Sequence, residues 1–277
     1  MALQFYFGPS GSGKSKRLHQ DVLHMAAKDP DCNFLFLVPD QFTMQTQMDL
    51  VKESPGGGIM NIDVLSFGRL THRIFEETGY GRKPVLDDTG KSLVLRKVAS
   101  SVKENLPVLS GNLNKIGYIH EIKSAISEFK QYGLSVERVG ELAEFSKSRG
   151  TLYYKLKDLK TLYQAFDAYV AERFITTEDT LALLSRAVHE SKIMKNSVVI
   201  FDGFTGFTPV QNRLIGELLK VCDKIMLTVE IDRREDPFVY KHPYQLFALS
   251  KQMVTSLTEV AQEVRVEIDE PVWLCKN

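Results

Sequence analysis

The sequence predicts an α/β protein, a parallel sheet with helices on its faces, interrupted by a long helical segment. Three observations carry this reading. Continuously apolar runs such as NFLFLVP (33–39) and SVVIF (197–201) alternate with helical periodicity, and unbroken runs of this kind mark strands buried on both faces. The chain opens on a strand, a glycine-rich turn and a helix start, LQFYFGPSGSGKS (3–15). From Leu86 to about Lys192, helical periodicity runs on without a strand signal.

In order, the first strand leads into a helix over Lys14–Lys28, with Leu18, Val22, Leu23 and Met25 or Ala26 at helical spacing, stopped by Pro30 and Asp31. After NFLFLVP, Asp40 is placed to cap a helix over 41–54, which Pro55 and Gly56 to Gly58 end. IMNIDVL (59–65) is a third strand, and Ser66 caps the helix that follows. The order βαβαβα requires a parallel sheet. Near Pro84 the pattern changes. Ile122, Ala125, Ile126 and Phe129 make one helical stripe; Leu156, Leu159, Leu162, Tyr163, Phe166 and Val170 make another. Thr176 to Asp179 has the form of a capping box. Strand signal resumes at SVVIFD, followed by a helix (209–222), the strand KIMLTVEI, a helix around 244–260 and the strand VRVEI. Residues 1–85 and 193–277 thus form one α/β domain, and 86–192 an all-helical insertion of ordinary domain size.

Composition sets further bounds. With 35 basic and 35 acidic residues the formal charge is zero, which excludes a strongly basic nucleic-acid module but not a local basic groove. Cys32, Cys222 and Cys275 lack metal-ligand spacing and suit a reducing cytosol, and the six histidines show no zinc pattern. No stretch approaches the ~20 apolar residues of a membrane span. The first strand begins almost at Met1 and leaves no room for a signal peptide, so a cytoplasmic protein without membrane partners is expected.

Gly8, Pro9, Ser10, Gly11, Ser12, Gly13, Lys14 and Ser15 satisfy the pattern G-x-x-x-x-G-K-[ST], between a strand and a helix as the chemistry requires. Glycines let backbone N–H groups curl around phosphate oxygens, and the following helix adds its dipole. Lys14 is placed to reach the β- and γ-phosphates of ATP and Ser15 to ligate Mg²⁺, giving a P-loop NTPase sheet of the RecA-like kind. Such sites need a carboxylate at a buried strand tip to hold magnesium, and Asp202 supplies one, although Asp-Gly is also a common turn pair.

The stretch from Asp202 to Gln211, DGFTGFTPVQ, resembles the D-E-x-Q-D-x-x-P-x-Q motif of UvrD-like superfamily-one helicases. Asp202, Pro209 and Gln211 match, while Gly203 stands at the catalytic glutamate and Gly206 at the second aspartate. Together with FGPSGSGKS (7–15), FLVPDQFTMQTQ (36–47) and VLSFGRLTHRIF (64–75), the chain is similar along its whole length to the N-terminal part of the AddB family of helicase/nuclease subunits. The resemblance implies a role with an AddA partner at DNA double-strand breaks, acting on DNA ends and on double- and single-stranded DNA, and responding to a recombination hotspot. It also implies that the helical segment is a helicase 1B-like subdomain. The family's nuclease and iron–sulfur cluster lie further downstream, as does a second RecA-like domain.

Asp232-Arg233-Arg234 replaces the G-D-x-x-Q that couples ATP to DNA in active motors, and only seven residues precede Gly8, too few for an adenine-reading glutamine. A positioned general base is worth roughly 10²- to 10⁴-fold, and a trans arginine about 10³ or more. No catalytic residue is assigned, and ATP binding with very slow turnover is expected.

Loops at the carboxyl ends of strands are where open α/β sheets bind ligands. Gln41, Phe42 and Thr43 follow the second strand, and Ser66, Phe67 and Arg69 the third; stacking and phosphate contacts make them candidates for DNA. Phe42 and Phe67 also fit as helix-start core residues. The basic run over 147–160, with Tyr153 and Tyr154, reads as a solvated helix face rather than a duplex track. A P-loop kinase and a scaffold with a vestigial phosphate loop remain alternatives.

Overall fold

The computed structural model describes residues 1–275, so the last two positions of the segment expected over 193–277 lie outside the described residues. Two compact units are present: Met1–Tyr80 joined by the segment from Leu184 onward, and Gly81–Leu183. In chain order the elements are β1 (Ala2–Gly8), α1 (Lys14–Lys28), β2 (Asn33–Leu37), α2 (Thr43–Glu53), β3 (Ile62–Leu65) and α3 (Phe67–Thr78). The helical unit carries β4 (Val85–Leu86), α4 (Asp88–Ser101), α5 (Ile116–Gln131), α6 (Val136–Phe145), α7 (Gly150–Ala171) and β5 (Ile175–Thr176). Then come α8 (Thr177–Ala187), α9 (Lys192–Lys195), β6 (Ser197–Phe201), α10 (Pro209–Leu219), β7 (Lys224–Glu230), α11 (Ala248–Glu263), β8 (Glu267–Ile268) and β9 (Val272–Trp273).

The first unit is α/β, built on one parallel sheet of order β3-β2-β6-β7-β1-β8, with β9 continuing along β1. Its register pairs Leu37 with Phe201, Phe201 with Leu227, and Gly8 with Glu230, which brings the carboxyl ends of four strands to one edge. Both faces are buried, as continuous apolar strands demand. Tyr6, Phe34, Phe36, Ile200 and Met226 pack in one cluster with Leu18, Val22 and Ala26 of α1 and Leu50 of α2. The alternate residues Phe5, Phe7, Leu35, Leu37, Val199, Phe201 and Leu227 fill the other face and are equally buried. Between α10 and α11 the approach is so close that a Cβ at Gly216 would stand 3.0 Å from Val260.

Helix starts follow local chemistry. The Ser66 hydroxyl accepts from the Arg69 N–H at the start of α3. Thr208 and Gln211 form a reciprocal capping box at α10, with Pro209 at the first helical position. Asp40 departs from expectation: it opens a single 3₁₀ turn, and α2 starts only at Thr43, past the reach of a cap at Asp40; the Thr43 hydroxyl donates to the Asp40 carbonyl. α11 begins at Ala248, not near Tyr244; Pro237 and Pro243 hold the preceding residues irregular, and Phe247 enters the helix at φ 57°. The strand after it covers only Glu267–Ile268, and Pro271 separates it from β9, which no sequence signal indicated.

In the helical unit, Leu95, Ile119, Ile122, Ile126, Leu162, Tyr163, Phe166 and Val170 share one core. Two short strands correct the expectation of none after Leu86: Val85 pairs with Ile175 and Leu86 with Thr176, in parallel. At two residues each they are too short to leave an alternating pattern. At the start of α8 the Thr176 hydroxyl accepts from the Asp179 N–H and donates to its carboxylate. Asp158, the one acid of the basic run, is buried and accepts from the N–H groups of Val108 and Leu109. Tyr153 donates to Glu144 of α6, and Lys157 lies over its ring. Among the described residues no helix is long and apolar enough to cross a membrane.

Candidate nucleotide site

The glycine-rich loop runs from the last residue of β1 to the first turn of α1. Gly8 admits no side chain: a Cβ there would stand 2.5 Å from the Ser12 hydroxyl oxygen and 2.6 Å from the Leu274 carbonyl. Gly11 and Gly13 take φ of 72° and 85°, where side-chain-bearing residues are strained. The loop is tied by the Ser12 N–H and the Lys14 ammonium, both donating to the Pro9 carbonyl at 3.2 and 2.9 Å. Gly13 precedes α1 in the left-handed conformation, and no side chain caps this helix start. The Ser12 hydroxyl is buried without a hydrogen-bond partner. Burial holds Lys14 below the usual lysine range, with Glu230 and Asp202 pulling the other way.

Asp202 follows β6, buried, its N–H donated to the Leu37 carbonyl. Its Oδ1 accepts from the Ser15 hydroxyl at 3.0 Å and from the Thr228 hydroxyl at 2.5 Å. β7 stands between β1 and β6, so Thr228 bridges the gap between the phosphate loop and the carboxylate. Ser15 Oγ and Asp202 Oδ1 are hard oxygen donors close enough to face one cation, and Mg²⁺ is commonly held by one or two protein oxygens plus phosphate and water. Among the described residues no three His, Cys, Asp or Glu side chains converge to cage a metal alone. An orphaned hydroxyl inside the loop, an uncapped helix start and this oxygen pair fit a magnesium-bound phosphate chain.

Gly203 takes φ 78° and is exposed. A Cβ there would make only ordinary contacts, 3.7 Å to Pro39 and 3.8 Å to Phe42, so its constraint is the backbone, not space. Of the remaining matches to the helicase motif, Pro209 and Gln211 are both engaged in starting α10.

The DNA candidates divide by exposure. Gln41, Phe42 and Arg69 are exposed. Thr43 and Ser66 are buried, with their hydroxyls engaged at helix starts. Phe67 is half-buried, in ring contact with Phe201 and Phe204, and Phe207 completes the cluster.

Sequence reasoning passed over Thr228 and His19. Each left a faint signal, a lone polar residue inside the buried run KIMLTVEI and a histidine beside Leu18 in the buried stripe of α1. It also passed over Glu230, whose pairing with Gly8 follows only from strand order.

The pattern that defines the family described as "ADDB, N-terminal" matches residues 5–277. The chain is 41% identical over its full length to the B subunit of the ATP-dependent helicase/deoxyribonuclease of Lachnoclostridium phytofermentans. It is 30% identical over 99% of its length to the protein of the same name from Ruminiclostridium cellulolyticum, and 28% over its full length to that of Listeria monocytogenes. In each case it spans 24% of the relative's length. With the match unbroken from β1 onward, the chain belongs to the AddB family and corresponds to its N-terminal region.

Proposed function

We propose that this chain is the ATP-binding, DNA-contacting N-terminal part of the AddB-type member of a heterodimeric helicase/nuclease. The complex, formed with an AddA-type partner in the cytoplasm, resects DNA double-strand breaks for recombinational repair. The carrying observation is the meeting of Ser15 and Asp202, 187 positions apart, across a loop whose first glycine excludes a side chain. On this reading residues 1–85 and 193–277 are the RecA-like P-loop NTPase domain and residues 86–192 its 1B-like helical insertion. The nuclease and iron–sulfur cluster belong to the remainder of the protein.

Gly8 to Ser15 wrap the phosphates of ATP, Lys14 leaves the Pro9 carbonyl for the β- and γ-phosphates, and Ser15 and Asp202 hold Mg²⁺. Bound there, Mg²⁺ would neutralise charge on the phosphate chain. Gly203 offers no carboxylate to position a water, so ATP acts on the protein mainly through binding. Gln41 and Phe42, in the turn before α2, and Arg69, in the first turn of α3, offer DNA a hydrogen-bonding, a stacking and a charged contact, beside Phe67; Thr43 and Ser66 shape those helix starts from beneath.

Calorimetric titration of Mg·ATP into the intact protein and its Lys14→Ala variant tests this. Binding that disappears in the variant is expected. Absence of binding to the parent would overturn the nucleotide reading and favour a scaffold with a vestigial loop.

A further inference from the structure

His19 lies on α1 one turn beyond Ser15, and it is only 5% exposed. Its ring meets Phe36 edge-on at 5.5 Å between centroids. Nε2 stands 3.8 Å from Asp202 Oδ2, the oxygen that Ser15 and Thr228 leave free. Nδ1 stands 3.6 Å from Oε2 of Glu53, the last residue of α2. Neither ring nitrogen nor Glu53 Oε2 has a hydrogen-bond partner. A buried core histidine ordinarily has its nitrogens satisfied, since an unpaired buried nitrogen loses the hydrogen bonds that water would give it. Here the ring is wedged between two carboxylates, each under 1 Å beyond hydrogen-bonding range.

We propose that His19 is the positioning residue of Asp202: with the proton on Nε2, its N–H holds Oδ2, so that Oδ1 stays turned toward Ser15 and the cation. The inference rests on the nucleotide–magnesium reading above. A neutral imidazole carries one N–H, and only on Nε2 does it face Asp202; on Nδ1 it would face Glu53 and leave Oδ2 without a donor. Hydrogen bonds to the groups behind a metal's ligands fix which atom faces the metal, and their loss typically lowers metal affinity 10- to 100-fold. His19 touches neither nucleotide nor cation, so its effect is confined to the magnesium-dependent part of binding.

The test is calorimetry of ATP binding to the intact protein, with Mg²⁺ and with excess EDTA, for wild type, His19→Leu, His19→Gln and Glu53→Gln. The ratio of the two affinities is the magnesium increment. His19→Leu is expected to lose about tenfold or more of that increment, with affinity in EDTA changed less than about twofold. His19→Gln, whose amide can reach Oδ2, should restore most of it, and Glu53→Gln, whose amide can donate to Nδ1 and so keep the proton on Nε2, should not lower it. His19→Asn, polar but too short to reach, repeats the test should the leucine variant not fold. An unchanged increment in His19→Leu or His19→Asn overturns the proposal and leaves ATP binding intact. A wild type that binds ATP in neither condition overturns the nucleotide reading and this inference with it.

Discussion

In the helical unit, the side chains of Lys91, Lys123 and Lys130 are less than a tenth exposed, and each ammonium meets a carboxylate within 3.0 Å: Glu178, Asp88 and Asp167. At the carboxyl edge of the parallel sheet, by contrast, Ser12, His19 and Glu53 carry buried polar atoms with no partner, and Lys14 is bonded only to a carbonyl. The helical unit has one such atom in its charged cluster, Glu178 Oε2, whose other oxygen is paired with Lys91. Buried charges that face each other hold a fold in register. Buried polar atoms left open around a glycine loop are groups kept for something else.

Breaking a pair in the first cluster should have the largest effect. Lys91→Met leaves the Glu178 carboxylate, only 7% exposed, without its ammonium. The expected loss is about 3–5 kcal/mol of stability, read by chemical denaturation, with ATP affinity unchanged. Lys14→Ala should do the reverse. A fall in ATP affinity with Lys91→Met, or a large loss of stability with Lys14→Ala, would break the comparison.

Gly203→Glu sharpens the comparison at the sheet edge. Space exists for the side chain, but at φ 78° a non-glycine residue is disfavoured by about 1–2 kcal/mol. The variant should therefore lose stability by about that amount and gain less in ATP turnover than the roughly 10²-fold lower bound for a well-positioned base. Phosphate release by the intact protein measures the second part, and a gain of that size or more would mean the loop can refold around a glutamate.

The smallest effect concerns pH. Lys123, joined by Lys91, holds Asp88 below the ordinary carboxylate range. Its contribution to stability is therefore complete above the unfolded-state pKa of about 3.9 and fades as pH falls through the lower folded value. NMR-detected titration should place the Asp88 midpoint below that reference, and Lys123→Met should move it upward. An unmoved midpoint in the variant would show that Lys123 does not set it.

How much was legible follows from what each feature depends on. The α/β alternation, the strand-loop-helix at Gly8 to Ser15 and the Ser66 cap are local patterns, and the structure has them where the residues indicated. Thr228 and His19 depend on strand order and on which face of α1 meets the sheet, which no local window contains. Asp40 had the right chemistry for a cap, but the α-helix starts at Thr43, and Asp40 stands in the 3₁₀ turn before it. β4, β5 and β9, at two residues each, exist only through their pairing partners. The motif DGFTGFTPVQ was legible as a likeness, yet two of its three matching residues, Pro209 and Gln211, start a helix. Most of that likeness is therefore helix-start scaffold.

The edge segment over residues 267–274 also has a consequence for how the chain withstands truncation and proteolysis. β8 covers Ala2 and Leu3, β9 covers Tyr6 and Phe7, and the Leu274 N–H is donated to the Phe7 carbonyl. Without that segment β1 would become the rim of the sheet, presenting a row of unpaired N–H and C=O groups from a strand whose residues are mostly buried. Exposed apolar rims of this kind template intermolecular pairing and aggregation. Loss of β9 alone would therefore uncover Tyr6 and Phe7, the end of β1 that leads into the glycine-rich loop, while β8 still covered Ala2 and Leu3.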